Sequence, residues 1–399
     1  MPFLKKHSLV ALIYFLLIAL LGVLLRLLPL IDISLDYKYI VHTHSHVALL
    51  GWVYTALTTL IYKLFLENAL IDRKYRILFW CTQATIIGML LTFPFTGYAV
   101  FSIIFSTLFL FASYLFTWLF IKNTTTNQKK TNSYKCIKIS LWYMILSSIG
   151  PWALGYIMTT AGSGSNLYRN AIYFYLHFQY NGWFIMALFG IFFYILEEQM
   201  IKISPKTFQQ FYWAINIGVV ATFGISLLWM KPHFNIYIVS FLGALSQLFA
   251  LGFLVKELLP FKRKIANKNA TLSFQLLKIV AFLFLVKLFM QVIGSLPNFA
   301  NSISYNTDLI IGYIHWVFLG AVSIALLWFL NYFKFIKLSN RSVLIYLIGF
   351  TLTEGLIFYK GLVVWWQLSL LENYFWYLVI ASSVLMIAII NIFQMQFRE

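Results

Sequence analysis

The sequence is poor in charge: Asp, Glu, Lys and Arg together make up only 10% of its 399 residues, whereas 62% are hydrophobic and 20% are aromatic. A soluble globular domain has about half apolar residues and a quarter charged ones. The composition therefore excludes an ordinary soluble globule and predicts an all-α polytopic membrane protein.

Acidic residues are the scarcer kind of charge, 11 Asp and Glu against 29 Lys and Arg, which gives a formal net charge of +18. Such an excess can indicate a nucleic-acid partner. Here the basic residues occur in short clusters between apolar runs of about 20 residues, as membrane topology requires. We therefore predict a lipid bilayer as the partner and no nucleic acid.

Two further absences narrow the class. Cys81 and Cys136 are the only cysteines, and neither belongs to a C-x-x-C-H or a paired metal motif, so no disulfide, c-type haem or thiolate site is expected. The apolar run Leu9 to Leu30 follows Lys5 and Lys6 but lacks a small-x-small cleavage site. It is interpreted as the first spanning helix rather than as a signal peptide.

Apolar runs between polar or basic breaks predict about twelve spanning helices, each long enough for a core of about 30 Å. They leave no room for a soluble domain, so residues 1–399 are predicted to form a single integral membrane domain. The helices, α1 to α12, are predicted at 8–30, 41–65, 77–96, 98–121, 137–160, 171–196, 208–230, 234–257, 273–296, 308–333, 342–363 and 373–395.

The distribution of basic residues predicts the orientation of these helices. With a cytoplasmic N-terminus, the inner segments hold most of the Lys and Arg. The outer segments then hold only Arg26, Lys38, Arg169, Lys231 and Lys360. We expect an N-in, C-in protein of a bacterial inner membrane.

Six of the seven histidines then share one layer near the outer surface. His7, beside Lys5 and Lys6, is on the inner side, where we expect a solvated or interfacial side chain. Imidazole is costly to bury in hydrocarbon unless its nitrogens have partners, so the outer layer predicts a metal or haem site. Its members are His42, His44 and His46 at the start of α2, His177 in α6, His233 before α8 and His315 in α10.

One spacing recurs on α2, α6 and α10, and it predicts three quasi-repeats of four helices. On an ideal helix the glycine lies about 140° from the histidine, so we expect it to let a neighbouring helix approach. The three copies are His46-x4-Gly51, His177-x4-Gly182 and His315-x4-Gly320.

Within the α2 cluster, His42 and His46 lie about 40° apart on an ideal helix, and His44 points almost opposite. The cluster is therefore suited to two neighbouring sites. The alternative for every histidine is a hydrogen-bonded or capping side chain without metal.

A twelve-helix plan with histidines on α2, α6 and α10 resembles subunit I of the haem-copper oxidase superfamily, which includes the nitric oxide reductases. His44-x-His46 followed by Gly51 is also similar to the H-x-H-x4-G segment of nitric oxide reductases, which lies on their helix 10. A comparable segment near helix 2 occurs in the NnrS family of haem and copper proteins linked to nitric oxide stress.

The resemblance implies cofactors and ligands. One of His44 or His46 would pair with His315 as axial ligands to haem b, and His177 would take the copper-ligand position. An electron-donor protein or quinol and further subunits are the implied partners. Outer cations that could meet the haem propionates are Arg26, Arg169, Lys231 and Lys360.

The sequence departs from the family at the second metal. It has no adjacent His-His pair, and α10 has one histidine where two haems would need two. Asn181 stands four residues after His177, where oxidases have tyrosine and nitric oxide reductases have glutamate; Tyr180 is one position short. A standard binuclear centre is not expected. His42, His177 and His233 around a different second metal form the alternative.

Two ionisable residues lie near the middle of predicted helices. Lys287, with Gln291 one turn later, is on α9, and Glu354 is at similar depth on α11. Such groups usually pair or line a proton or ion path, so we predict either a Lys287–Glu354 pair or a proton route.

The first functional expectation is a redox-active haem protein that handles nitric oxide or oxygen. With one six-coordinate haem alone, electron transfer or sensing is expected instead of gas reduction. The alternatives are an NnrS-like stress protein, a transporter that binds metal at the outer histidines and couples protons through Lys287 or Glu354, and a structural or assembly subunit.

Overall fold

The structure is a computed structural model that describes residues 2–67, 69–268 and 271–398. These residues contain no β-strand and form twelve helices that are long and apolar enough to cross a membrane. In chain order α1 to α12 are Phe3–Leu27, Tyr37–Leu66, Leu70–Thr96, Val100–Asn123, Asn132–Thr160, Asn166–Glu198, Pro205–Met230, Phe234–Asn267, Thr271–Gly294, Thr307–Tyr332, Asn340–Trp365 and Tyr374–Phe397.

The prediction of an all-α polytopic membrane protein is confirmed, and the helices are mostly longer than the apolar runs. α1 begins at Phe3, so Lys5 and Lys6 lie within its first two turns. α8 continues to Asn267 through a short 3₁₀ segment at Leu259–Phe261, which contains Pro260. Helical hydrogen bonding continues into polar ends of a segment, whereas hydrophobicity marks only the part inside the bilayer.

The helices that carry the recurrent histidines are the most enclosed by protein. The apolar windows of α2, α6 and α10 are 94%, 78% and 56% buried, whereas those of the other nine helices are 33% to 44% buried. Polar side chains on α2, α6 and α10 therefore face other helices more than lipid, which is where a membrane protein places its functional groups.

The chain divides into two compact units. The first contains residues 1–124 and 326–399, which cover α1 to α4, the end of α10, α11 and α12. The second contains residues 125–325, which cover α5 to α9 and most of α10. The single domain over 1–399, the three quasi-repeats and the N-in, C-in orientation stay predictions.

Small residues allow close helix packing inside each unit. In the first unit, Gly349 of α11 packs against α12, and an added Cβ would lie 2.6 Å from the backbone nitrogen of Leu385. In the second unit, Gly218 of α7 and Gly243 of α8 face each other's helices in the same way. The hydrophobic effect does not drive helices together in lipid, because lipid tails are as apolar as the helix surfaces. Close packing of this kind stabilises the contact between helices instead.

Two glycines of α11 provide a test of this packing. We expect Gly349→Ala to lower stability by about 1–3 kcal/mol, because the new methyl meets the backbone of Leu385, which has no rotamer to change. Gly355→Ala is the control, since an added Cβ there has nothing within 4 Å; it is expected to be neutral or stabilising. Apparent Tm of the purified detergent-solubilised variants measures both, and equal Tm values would contradict the packing argument.

Candidate functional site

Each recurrent histidine is followed at once by a π-helical segment. The segments are Val47–Tyr54 after His46, Phe178–Phe184 after His177, and Trp316–Val322 after His315. The glycine of the His-x4-Gly spacing is the fifth residue of each segment. The repeated spacing therefore coincides with a repeated backbone feature. π-helical segments are rare in proteins, and those that occur are often found at functional sites.

The π geometry changes the expected position of the glycine. Because a π-helix joins residue i to residue i+5, Gly51 and Gly182 lie about one turn beyond His46 and His177. The angle of about 140° assumed an ideal α-helix and is wrong for these segments. The expected close approach is confirmed, since an added Cβ would lie 2.8 Å from the Tyr14 ring at Gly51 and 2.6 Å from the Tyr143 ring at Gly182.

The histidine cluster of α2 lies in a regular α-helical stretch, Tyr37–His46, and not in an irregular turn. Asp36 caps this stretch by accepting hydrogen bonds from the backbone amides of Lys38 and Tyr39 at 2.8 and 3.1 Å. The angles of an ideal α-helix therefore apply to the three histidines. The histidines point to two sides, as predicted, with His42 and His46 on one and His44 on the other.

His46 is held in one orientation by its own helix. Its Nδ1 lies 2.8 Å from the carbonyl oxygen of His42, so Nδ1 carries the proton and donates it. Nε2 is then the acceptor and lies 3.4 Å from the Tyr98 hydroxyl, a long contact. The ring of Phe93 covers it at a centroid distance of 4.4 Å. A histidine that donates Nδ1–H to a carbonyl presents Nε2 as a ligand atom.

Tyr98 reaches the histidines through the turn between α3 and α4. Gly97 has φ +57°, a backbone conformation that favours glycine, and it lies against the ring of Tyr39. Ser102 fixes the turn because its hydroxyl donates to the Gly97 carbonyl at 2.7 Å and accepts from the Ala99 amide at 2.9 Å. Tyr98 itself is 50% exposed, so this face of α2 is reachable from outside the helices.

His44 faces α1. Its ring hydrogen-bonds to the backbone of Ile18 and packs against Gly22, where an added Cβ would lie 3.5 Å from the ring carbon Cε1. Arg26 of α1 interacts electrostatically with His44 and with Glu354, which is 2% exposed. Arg26, one of the cations predicted to meet a haem propionate, therefore lies beside one histidine of the cluster.

His177 is a fully hydrogen-bonded core histidine. Its Nε2 lies 2.8 Å from the Val219 carbonyl oxygen, and its Nδ1 lies 3.2 Å from the amide nitrogen of Asn181. One tautomer satisfies both contacts, with Nε2–H donating and Nδ1 accepting. Both nitrogens have protein partners, so the geometry favours the alternative of a histidine without metal over the predicted copper ligand.

Asn181 extends this contact into a buried polar network of the second unit. Gln291 of α9 lies 3.5 Å from Asn181, and one turn away the Lys287 amine donates to Gln247 of α8 at 3.3 Å. Gln247 in turn donates to the Thr222 hydroxyl at 3.0 Å. All five side chains are at most 5% exposed. They form two hydrogen-bonded groups, Asn181 with Gln291 and Lys287 with Gln247 and Thr222.

Lys287 and Glu354 lie in different units. Lys287 bonds to Gln247, and Glu354 interacts with Arg26. The predicted pair and the predicted proton path both stay predictions.

The other predicted polar residues have local roles. His233 is exposed and caps α8, since its Nδ1 accepts from the Asn235 amide at 3.4 Å. Arg169 lies over the rings of Tyr173 and Trp229, 4.1 Å from the Trp229 centroid. Lys231 ends α7 in a left-handed conformation, and Lys360 lies 5.7 Å from the Phe375 ring centroid.

His315 ends the α-helical part of α10, Thr307–His315, and is partly buried. Two residues before it, the ring of Tyr313 lies 6.3 Å from that of Tyr180 on α6. Tyr180 is also 6.2 Å from the His177 ring. In the second unit, aromatic rings therefore connect α6 and α10 beside their histidines.

The environment of the His7 side chain differs from the one expected. It is 1% exposed and stacks on Phe79 with a centroid distance of 3.4 Å, beside Tyr75. The solvated alternative is wrong, because α1 begins before His7 and turns that face of the helix onto α3. The interfacial alternative stays a prediction.

Within the described residues, no group of three or more His, Cys, Asp or Glu side chains is placed to hold a metal ion. The second-metal arrangement of His42, His177 and His233 thus gains no support and stays a prediction. Comparison with protein-family models found no matching family, and comparison with curated proteins found no similar sequence.

The sequence did not point to Tyr98, Thr222 or Gln247. Isolated Thr and Gln in spanning segments are a usable signal, because polar groups in hydrocarbon need partners. Which residues they pair with depends on how α7, α8 and α9 pack, and that is not visible in the chain order.

The buried network predicts an asymmetric effect of two substitutions. Gln247→Met is expected to lower stability by about 1–3 kcal/mol, because it leaves the Lys287 amine and the Thr222 hydroxyl without this partner in a buried position. Methionine is unbranched and close to glutamine in size, so packing against Gly218 is retained. Lys287→Met should cost less, since it removes the amine itself.

The double variant Gln247→Met with Lys287→Met is the decisive control. It should be more stable than Gln247→Met alone, because no buried amine remains unpaired. Apparent Tm in detergent measures all three variants. Additive losses would show that the lysine–glutamine contact is unimportant.

Proposed function

We propose that this chain is a haem-binding integral membrane protein in which His46 supplies an axial ligand to a b-type haem. The observation that carries the proposal is the orientation of the His46 ring, with Nδ1 on the His42 carbonyl and Nε2 directed away from its own helix. Axial histidines need this arrangement, because the second nitrogen fixes the ring and raises the basicity of the ligand atom.

Aromatic side chains surround His46, and such neighbours are suited to packing on a haem. Phe93 and Tyr98 lie beside the ring, and the Tyr98 contact to Nε2 is long enough to be replaced. His42 shares this face and also contacts Tyr98, at a centroid distance of 4.8 Å. His44 fits less well, since it faces α1 and bonds to the Ile18 backbone.

The second axial ligand and the cations for the haem propionates are those that the resemblance implies. His315 is the residue it implies, and Arg26 is the outer cation for a propionate, alongside Arg169, Lys231 and Lys360. A bound haem would supply one-electron chemistry and gas coordination. The chain's own residues would orient it, and an electron-donor protein or quinol would supply electrons.

Copper is not part of the proposal. His177 uses both ring nitrogens within the protein, and Asn181, which holds one of them, stands where the resembling enzymes have tyrosine or glutamate. A haem without a second metal favours electron transfer or sensing of nitric oxide or oxygen, the NnrS-like alternative included, in a bacterial inner membrane.

A second candidate is a proton-coupled transporter. The observation that favours it is Lys287, which is 0% exposed and linked through Gln247 to Thr222 on a neighbouring helix. A transporter uses such intramembrane ionisable groups to carry protons. This candidate would purify without haem.

Optical spectra of the purified protein from haem-replete cells, before and after dithionite, distinguish these functions. We expect low-spin haem bands in the wild type, their loss in His46→Ala, and partial recovery of the bands when imidazole is added to His46→Gly. His315→Ala should also lose the low-spin spectrum. His233→Ala is the matched control, because His233 is an exposed capping residue.

The spectra can also contradict the proposal. A colourless wild type would exclude haem binding, and a His46→Ala spectrum identical to the wild type would exclude His46 as a ligand. Loss of bands in His44→Ala alone would transfer the role to His44. Monodispersity on size exclusion separates loss of haem from loss of fold.

A further inference from the structure

The first unit contains a basic cavity of about 580 Å³ that the haem proposal does not use. Three separate parts of the chain form it: the start of α1, the end of α10 with the segment after it (residues 333–339), and the end of α12. Its lining residues are Lys5, Lys6, Leu9, Asn331, Lys334, Phe335, Ile336, Lys337, Leu338 and Gln396.

Neutral amides fix the segment that carries two of the lysines. Gln396 accepts from the Lys337 amide at 2.8 Å and donates to the Lys337 carbonyl at 3.0 Å. Asn331 accepts from the Leu338 amide at 3.1 Å, and Lys334 has φ +59°, which reverses the chain after α10. Neutral side-chain amides of the described residues thus hold the backbone of this segment.

Positive charge converges on this cavity. Among the described lining residues four are lysines and none is acidic. The Lys337 amine donates to the backbone carbonyl of Arg398 at 2.5 Å, and this acceptor is neutral. Like charges gathered at one cavity repel each other unless an anion neutralises them.

A preference for basic residues on one side of the membrane does not explain this convergence. That preference requires lysines near helix ends, but it does not require lysines of α1 and of the segment after α10 to face one cavity. The apolar members Leu9, Phe335 and Ile336 add a second property, since they provide a surface for hydrocarbon next to the charges. An amphiphile with an anionic head fits both.

We propose that this cavity binds the phosphate headgroup of an anionic phospholipid, with the lysines on the phosphate and the apolar residues on the glycerol and upper acyl chain. Basic pockets between helix ends recognise such headgroups by charge and by position at the membrane surface. This site goes beyond the proposed haem function and does not depend on it.

The test measures retention of phosphatidylglycerol by the purified full-length protein, using native mass spectrometry and lipid titration in phosphatidylcholine nanodiscs. We expect Lys334→Gln with Lys337→Gln to bind phosphatidylglycerol about 30-fold more weakly, since each lysine near the surface contributes about a factor of five. Lys334→Arg with Lys337→Arg should retain binding, because the charge is kept.

The matched control is Lys129→Gln with Lys130→Gln, which removes the same charge from an exposed segment outside the cavity. It should bind as the wild type does. Equal weakening in this control, or no preference of the wild type for phosphatidylglycerol over phosphatidylcholine, would overturn the proposal.

Inorganic phosphate separates the lipid from a soluble ligand. If phosphate alone raises the apparent Tm as much as phosphatidylglycerol does and displaces the lipid, the site serves a soluble phosphate compound and the lipid proposal is wrong. If the Lys334 and Lys337 variants do not fold, Lys5→Gln with Lys6→Gln replaces them, since both lysines are exposed. Unchanged binding in that variant would also overturn the proposal.

Discussion

Hydrocarbon offers no hydrogen-bond partner, and this constraint decides how the polar side chains of the protein are arranged. Backbone groups satisfy it by forming helices. Side chains inside the helices satisfy it by finding one another or a backbone carbonyl, as His177 does with Val219 and Asn181. The same need brings Lys287 to Gln247, because an unpaired amine in this position would be costly.

The histidines of α2 and α6 illustrate two outcomes of this constraint. His177 uses both nitrogens within the protein and has none left for a metal. His46 uses one nitrogen on a carbonyl of its own helix, and the other makes a long contact with Tyr98. The recurrent spacing alone makes the two residues look equivalent. Their partners make them different, because Asn181 lies four residues after His177 and leucine lies four after His46.

The π segments connect the sequence pattern to the packing. In each, the glycine falls one turn beyond the histidine, and at Gly51 and Gly182 a tyrosine ring of the preceding helix occupies the space that a side chain would take. A wider turn costs packing within the helix, so its presence after all three histidines indicates a shared constraint on how α2, α6 and α10 pass their neighbours. The greater burial of these three helices agrees with that constraint.

The sequence by itself determined the membrane class, the twelve helices, the two-sided division of the α2 cluster and the close approach at Gly51 and Gly182. These follow from hydrophobicity, helical angles and residue size, which act over short stretches of chain. Only the tertiary structure decided that His7 is buried on Phe79, that His177 is hydrogen-bonded, and that lysines of α1 and of the segment after α10 share a cavity. Those outcomes depend on which helices become neighbours, and contacts between residues far apart in the chain leave no local pattern from which to read them.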